Sequence, residues 1–280
     1  MLNQKSNDTV KPYVSIIVAS YNYARYITQT LDSLINQTYT NFEIIIIDDG
    51  STDNSVEIIK AFEQKDSRIK LLQHKNNSNK GLSESVKFAL DHSRGEWIAF
   101  CESDDYWAPD HLEAKTQCIN NYKDADIIVN LPKIFGIQEI VDTFNKGFST
   151  LFQKLRKLKK PEKMYFKLLS TWDFPTFSVV MVRADALRTC NFCPPIRNGL
   201  DVWLWRQLNL NYKTMFVDKE LTFWRRTQGE SRIWENQPPM NTKMYFKMLN
   251  NTIKFTPIQK IMHKIVRMSN KLKIKIKKLR

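Results

Sequence analysis

Residues 100–107 read FCESDDYW, and three carboxylates, Glu102, Asp104 and Asp105, fall within four positions directly after an apolar run. Like charges this close repel one another, and something has to relieve the repulsion. Two kinds of chemistry do so. Acidic residues start turns and cap helices, and Pro109 with Asp110 opens a helical pattern just downstream. A bound cation is the sharper alternative, because hard divalent ions such as Mg²⁺ and Mn²⁺ take carboxylate oxygens as ligands. A second acidic pair, Asp48 and Asp49, follows the apolar run FEIIII at 42–47, and a further acid, Asp201, stands in GLDVWLW at 199–205.

The elements that would position these acids are legible from hydrophobic periodicity. Residues 13–20, YVSIIVAS, form a β-branched apolar run that predicts a buried strand, and residues 42–47, 69–72, 96–101 and 126–129 predict four more. Between them, Ile27, Leu31, Leu34 and Ile35, then Val56, Ile59 and Phe62, then Leu82, Val86, Ala89 and Leu90 recur at helical spacing. Asn54 and Glu57 have the spacing of a capping box, and residues 112–122 predict a further helix. Alternating strands and helices imply an α/β fold with a mostly parallel sheet covered on both faces. Ligands of such sheets sit beyond the carboxyl ends of the strands, which is where both acidic clusters fall. After residue 130 the pattern blurs. Residues 154–160, KLRKLKK, read as a solvated basic stretch, residues 176–183 as a strand, 198–210 as a helix, and 214–217 and 221–225 as two short strands.

An α/β sheet with carboxylates at its ligand-binding end suggests a nucleotide, yet the usual phosphate cradle is missing. After the first strand comes ASYNYARYI, without glycine, and neither G-x-G-x-x-G nor G-x-x-x-x-G-K-[ST] occurs in the chain. This argues against a dinucleotide dehydrogenase and a P-loop NTPase. A diphosphate without an amide cradle needs another counter-charge, and a divalent cation on the ESDD carboxylates would supply it.

The segments VSIIVASYNYARYI, IIIIDDGSTDNS, RGEWIAFCESDDYW and GLDVWLW, in this order and spacing, resemble the motifs of family 2 inverting glycosyltransferases of the bacterial surface-polysaccharide and lipooligosaccharide type. The resemblance covers residues 12–130 closely and 176–232 more loosely. It implies the GT-A fold, a nucleotide-diphospho-sugar donor such as a UDP-sugar, and Mn²⁺ or Mg²⁺ as cofactor. By position, it implies that Ala19, Tyr21, Asp49 and Asp104 bind the nucleotide. Tyr21 would stack on the base, Asp49 would accept a hydrogen bond from it, and Asp104 would contact the ribose. It implies Asp105 as the metal ligand and Asp201 as the catalytic base. The residues alone also allow structural roles: Tyr21 covering a strand end, an Asx turn at Asp48 and Asp49 before Gly50, and Asp201 as a first-turn acid favoured by the helix dipole. The chain departs from the family pattern at Glu102, where many relatives carry Asp, at Leu200, where an acid often precedes the catalytic Asp, and at Gln228, near the usual position of a His. The resemblance divides the chain into a nucleotide-sugar half at 1–130 and an acceptor and catalytic-base half at 131–235.

Composition completes the picture. The chain has 280 residues, 42% hydrophobic and 26% charged, as in globular proteins. Its net charge of +14 is concentrated: residues 236–280 hold 12 Lys and Arg and no acid, leaving the first 235 positions at +2. In this tail Ile258, Ile261, Met262, Ile265, Met268, Leu272, Ile276 and Leu279 recur every three or four residues opposite a basic face. Such a helix suits an anionic membrane surface better than nucleic acid, since phosphate backbones do not require an apolar stripe; packing of the stripe on the body is the structural alternative. Residues 1–12 lack the apolar core of a signal peptide and no run of about 18 apolar residues occurs, so the expected location is cytoplasmic, peripheral on the inner face of the membrane. The expected partners are a sugar nucleotide, a glycan or lipid-linked acceptor and that membrane. Cys190 and Cys193 form half of a zinc-type spacing with no second pair nearby, and Arg225, Arg226 and Arg232 could pair with a diphosphate or lie on the surface. Two rivals stand beside the transferase: a sugar nucleotidyltransferase, which shares the layout but usually starts with a glycine-rich loop, and a membrane-associated partner that keeps the fold with weak or no catalysis.

Overall fold

The computed structural model describes residues 13–168, 175–193, 199–226 and scattered positions between 251 and 264. It is a mixed eight-stranded sheet in the order β3-β2-β1-β4-β7-β6-β8-β5. Strands β1 (Val14–Ser20), β2 (Phe42–Asp48), β3 (Ile69–Gln73) and β4 (Trp97–Phe100) pair in parallel. The apolar runs explain why. Strand β2, FEIIIID, is buried at every position, which requires cover on both faces. Its isoleucines 44 to 47 are each at most 1% exposed, and each contributes roughly 1.5–3 kcal/mol relative to an exposed side chain.

Helices α1 (Ala24–Ile35), α2 (Ser55–Lys65) and α3 (Leu82–Asp91) connect these strands and bury the periodic residues Ile27, Leu31, Leu34, Val56, Ile59, Val86, Ala89 and Leu90. The capping box expected at Asn54 is not formed. Asp53 takes its place: its Oδ1 accepts the Ser55 amide and hydroxyl, at 3.0 and 2.5 Å.

Two-residue strand β5 (Tyr106–Trp107), helix α4 (His111–Asn121) and strand β6 (Ile127–Gly136) follow. Residue 130 lies inside β6, so both halves of the chain share one sheet and one core. Beyond it the structure departs from the sequence pattern in four ways. Helix α5 (Gln138–Leu155) occupies a stretch that periodicity left unassigned, and it ends inside the basic segment, where Leu155 and Leu158 are buried among exposed cations. After α6 (Tyr165–Leu168), the run from residue 176 begins as a 3-10 turn, Phe177–Val179, before strand β7 (Val180–Arg183) and helix α7 (Ala184–Arg188). Strand β7 is antiparallel to both neighbours, β4 and β6. Finally, the two strands expected at 214–217 and 221–225 are one, β8 (Thr214–Arg226), which follows α8 (Leu200–Asn211) and runs parallel to β6 across register shifts at Asn130–Pro132. The apolar stripe of the tail lies almost wholly outside the described residues; Ile261 and Met262, which belong to it, are exposed.

At the end of the sheet remote from the acidic clusters, a polar knot, buried at Ser15 and Glu43 and capped by the exposed Arg94, ties β1, β2 and β4 together. The Ser15 hydroxyl donates to Glu43 Oε1 at 2.6 Å and accepts the Gly95 amide at 2.7 Å, while Arg94 donates through Nε and Nη2 to Glu43 Oε2 at 3.0 and 2.9 Å. A Cβ on Gly95 would stand 2.4 Å from the Ser15 nitrogen, so the strands close only around glycine. Gly95→Ala should therefore lower unfolding stability by about 1–3 kcal/mol, the usual size of an overpacking strain. It should leave ligand binding at the opposite end intact below the unfolding midpoint, as read by thermal denaturation with a parallel binding titration.

Candidate active site

The parallel strands deliver β1 and β2 to one edge with Ser20 beside Asp48. The loops that follow are laced together by side chains instead of by glycine. The Asn22 amide donates to Ser51 Oγ at 2.9 Å, the Tyr23 amide to Ser55 Oγ at 3.0 Å and the Ala24 amide to Asp53 Oδ2 at 3.0 Å. Asn22 Oδ1 returns by accepting the Thr52 amide at 2.7 Å. Asp53 thus satisfies the first turn of α1 from the neighbouring loop, a helix start that needs such acceptors. Asp48 forms the Asx turn: its Oδ1 accepts the Gly50 and Ser51 amides at 3.2 and 2.9 Å. Gly50, at φ +84°, has no room for a Cβ, which would meet Asn77 O at 2.7 Å. Asp49 is buried, and its two oxygens accept the amides of Lys80 and Gly81 at 2.7 and 2.9 Å, which fixes the start of α3.

Beyond β4, the carboxylate turn separates its three acids. Asp105 is 1% exposed and points away from solvent. Its Oδ2 accepts the Ser178 hydroxyl at 2.6 Å and its Oδ1 the Arg225 amide at 2.8 Å. Ser178 Oγ in turn accepts the Glu102 amide at 2.9 Å. Burial first, then the charges of Asp104 and Glu102, pushes the Asp105 carboxyl well above the usual carboxylate range. Glu102 accepts the Thr176 hydroxyl. The carboxylate-bearing residues Glu102 and Asp104 line a cavity of about 250 Å³ whose floor is Ile17, Ala19, Phe100 and Phe177.

Asp201 lines the same cavity from the first turn of α8. Helix α8 is seated by its two tryptophans, both buried. Trp203 Nε1 donates to Asn191 O at 2.7 Å, Trp205 Nε1 to Pro175 O at 2.8 Å, and the Trp205 ring packs edge-on against Phe100 and Phe177. Desolvation, with a smaller contribution from the charge of Glu102, raises the Asp201 carboxyl to about 7, against the pull of the Val202 amide that donates to its Oδ1 at 2.7 Å. A carboxylate near neutrality can take a proton from a hydroxyl and hold it.

Of the positions singled out in the sequence, Ala19, Asp104 and Asp201 meet at this cavity. Tyr21 is exposed at the end of β1, Asp49 is engaged with α3, and Asp105 lies beneath the carboxylate turn. Leu200 and Arg226 also line the cavity, whereas Gln228 and Arg232 lie outside the described residues. Periodicity did not single out Trp224, Phe177 or Glu102 as cavity walls, although the acidic spacing marked Glu102 as part of one cluster.

The fit to a divalent cation rests on the donor set. Two carboxylates, two residues apart on one turn, face one cavity, and among the described residues no cluster of three or more His, Cys, Asp or Glu could hold a metal on its own. That is the chemistry of Mg²⁺ or Mn²⁺, which bind through one or two carboxylates and complete their shell with phosphate oxygens and water. Glu102 and Asp104 line the cavity and fit; Asp105, the expected metal ligand, accepts the Ser178 hydroxyl and the Arg225 amide and is not among the residues that line it.

Comparison with known proteins agrees with this geometry. Residues 15–187 match the domain described as Glycosyl transferase family 2. The chain is 34% identical over 194 residues, 69% of its length and 68% of the relative's, to the UDP-Glc:alpha-D-GlcNAc-diphosphoundecaprenol beta-1,3-glucosyltransferase WfgD of Escherichia coli. Its fold superposes with a TM-score of 0.60, at 22% identity, on S. aureus TarS 1–349 in complex with UDP-GlcNAc, over 78% of this chain and 59% of that one, so it spans about three fifths of that structure. On the mannosyltransferase PcManGT of Pyrobaculum calidifontis, in complex with GDP-Man and Mn²⁺, the TM-score is 0.66 at 17% identity, covering 94% of this chain and 72% of that one. With a sheet ending in a carboxylate turn, an acid on α8 facing it, and a family match over more than half its length, the chain belongs to glycosyl transferase family 2 and is a glycosyltransferase with the GT-A fold.

Proposed function

We propose that the protein transfers a sugar, with inversion, from a nucleotide-diphosphate donor, a UDP-sugar in the first instance, to an acceptor hydroxyl in cell-surface glycan assembly. The observation that carries this reading is the convergence of Glu102, Asp104 and Asp201 on one cavity, with Asp201 raised to about 7. In one displacement, the acceptor oxygen bonds to the anomeric carbon as its proton passes to Asp201. The bond from that carbon to the diphosphate oxygen breaks, and its electron pair leaves with the diphosphate. Attack from the face opposite the leaving group inverts the anomeric centre.

Glu102 and Asp104 would hold Mn²⁺ or Mg²⁺, which supplies positive charge to the departing diphosphate when bound. Arg226 adds a fixed cation to the same cavity, its guanidinium 4.1 Å from the Phe144 ring centre and 4.9 Å from that of Trp224. Tyr21 offers an exposed ring at the strand end for base stacking, and Ala19 a small floor beneath the nucleotide. Asp49 would act on the base through lone pairs not used by Lys80 and Gly81, while it anchors α3. Residues 1–130 would bind the donor and 131–235 the acceptor and base.

The name of WfgD describes a lipid-linked acceptor. A lipid-linked acceptor suits this chain as well, because its basic tail carries an apolar stripe of which Ile261 and Met262 are exposed. The tail would hold the enzyme on the anionic inner face of the membrane, each cation near that surface contributing up to about 1 kcal/mol. No helix among the described residues is long and apolar enough to cross a membrane.

Three outcomes follow. Asp201→Asn should abolish sugar transfer, lowering kcat at least about a hundredfold, while donor affinity stays within a factor of about two, since a general base acts on the acceptor. In the wild type, kcat/KM should rise with pH and level off above about 7, because the base works only when ionised. Equal loss of donor binding and transfer would make Asp201 an anchor of α8. For the tail, a chain ending at residue 257 should keep donor binding and lose affinity for anionic liposomes, and binding of the full chain should weaken with salt. Unchanged liposome binding after truncation would remove the membrane role.

A further inference from the structure

Arg225 and Arg226 are consecutive on β8, and their side chains part to opposite faces of the strand. Arg226 lines the cavity. Arg225 goes beneath the carboxylate turn and makes a set of contacts that no catalytic step uses. Its backbone amide donates to Asp105 Oδ1 at 2.8 Å, its Nε to the backbone oxygen of Asp104 at 2.8 Å, and its Nη2 to Gln29 Oε1 at 2.5 Å. The guanidinium lies between two rings, 4.7 Å from the Tyr26 centre and 4.8 Å from that of Phe135. One residue thus binds two successive members of the turn and ties them to α1 and β6.

We infer that Arg225 is a positioning residue for the divalent-cation site: it fixes the backbone of the carboxylate turn so that Glu102 and Asp104 face one ion. The inference rests on the assignment of those two carboxylates to the cation. Three features support it. The carbonyl that Arg225 holds belongs to Asp104 itself, so a shift of this contact moves the ligand residue. Its backbone amide holds Oδ1 of Asp105, the next residue of the turn, so two successive members of the turn are fixed by one residue. Only a planar fork can bond the Asp104 carbonyl and Gln29 together while stacked between two rings; lysine offers a single point of donation. Because Arg225 sits at the end of β8, on the acceptor side of the sheet, the same contacts also couple the geometry of the cation site to that strand.

The test uses the full chain and Mn²⁺ as the probe, with its dissociation constant in the presence of UDP read by electron paramagnetic resonance or calorimetry. Arg225→Lys should raise that constant about tenfold or more, the usual cost of removing a group that orients a metal ligand. Its kcat should recover at saturating Mn²⁺. Gln29→Ala, at an exposed position on α1, should give a smaller rise in the same direction with an unchanged unfolding midpoint. A folded Arg225→Lys protein that binds Mn²⁺ as the wild type does would overturn the inference. If Arg225→Lys does not fold, an unchanged constant in Gln29→Ala overturns it equally. UDP binding by the wild type that ignores Mn²⁺ would instead overturn the cation assignment itself, and the inference with it.

Discussion

The constraint on which this structure turns is the crowding of three carboxylates at the end of β4. Each is handled differently, and the differences account for much of the architecture around them. Asp105 is taken out of the cavity and held by a hydroxyl and an amide, Glu102 keeps the Thr176 hydroxyl, and Asp104 lines the cavity. The partners come from the 3-10 turn before β7 and from the end of β8, so the second half of the chain serves as the mould for a turn that belongs to the first. The antiparallel insertion of β7 between β4 and β6 puts Ser178 where it can do this. A residual concentration of negative charge faces the cavity, which suits a site completed by a cation and a diphosphate.

A second consequence concerns the phosphate end of the sheet. Where a glycine-rich loop would offer amides to a ligand, this chain spends the amides of Asn22, Tyr23 and Ala24 on Ser51, Ser55 and Asp53. The motif residues of DDGSTDNS therefore build the frame: Asp48 closes its own turn, Asp53 caps α1, and Asp49 anchors α3. With those groups engaged inside the protein, the proposed function leaves charge compensation for a diphosphate to the other wall, where a cation on the carboxylate turn and Arg226 would supply it. The two tryptophans of GLDVWLW have a comparable structural part, seating α8 so that Asp201 faces the turn.

The sequence was most legible where one element interacts with its neighbours in the chain. Strands β1 to β4, the start of β6 and the helices between them follow from β-branched runs and helical spacing, because each is covered locally, whereas the two-residue β5 has no such run. Helix α5 carried a signal, Phe144, Phe148 and Phe152 at four-residue spacing, but Gly147 and the surrounding polar residues obscured it until the rings were seen packed on Trp224 and Phe216. Strand β8 looked like two because Asp218, Lys219 and Glu220 interrupt its apolar run; they are exposed, and the strand passes through them beside the register shift of β6. Which of the crowded acids faces the cavity was not legible, for a physical reason. It is decided by Ser178 and Arg225, 73 and 120 residues away from Asp105, and no local pattern encodes a contact of that range. The identity of Asp201 as a cavity acid was legible by motif, whereas its raised proton affinity comes from burial that only the packed helix creates.

The account stands on the division of labour within the carboxylate turn, and a titration of Mn²⁺ and UDP against Asp104→Asn tests it most directly. Removing that charge while keeping the side chain's size should weaken Mn²⁺-dependent UDP binding by at least about tenfold, with the unfolding midpoint of the apoprotein held or raised, because one of three repelling charges is gone. Mn²⁺-dependent UDP binding equal to that of the wild type would contradict it and return the cation to some other group of the cavity.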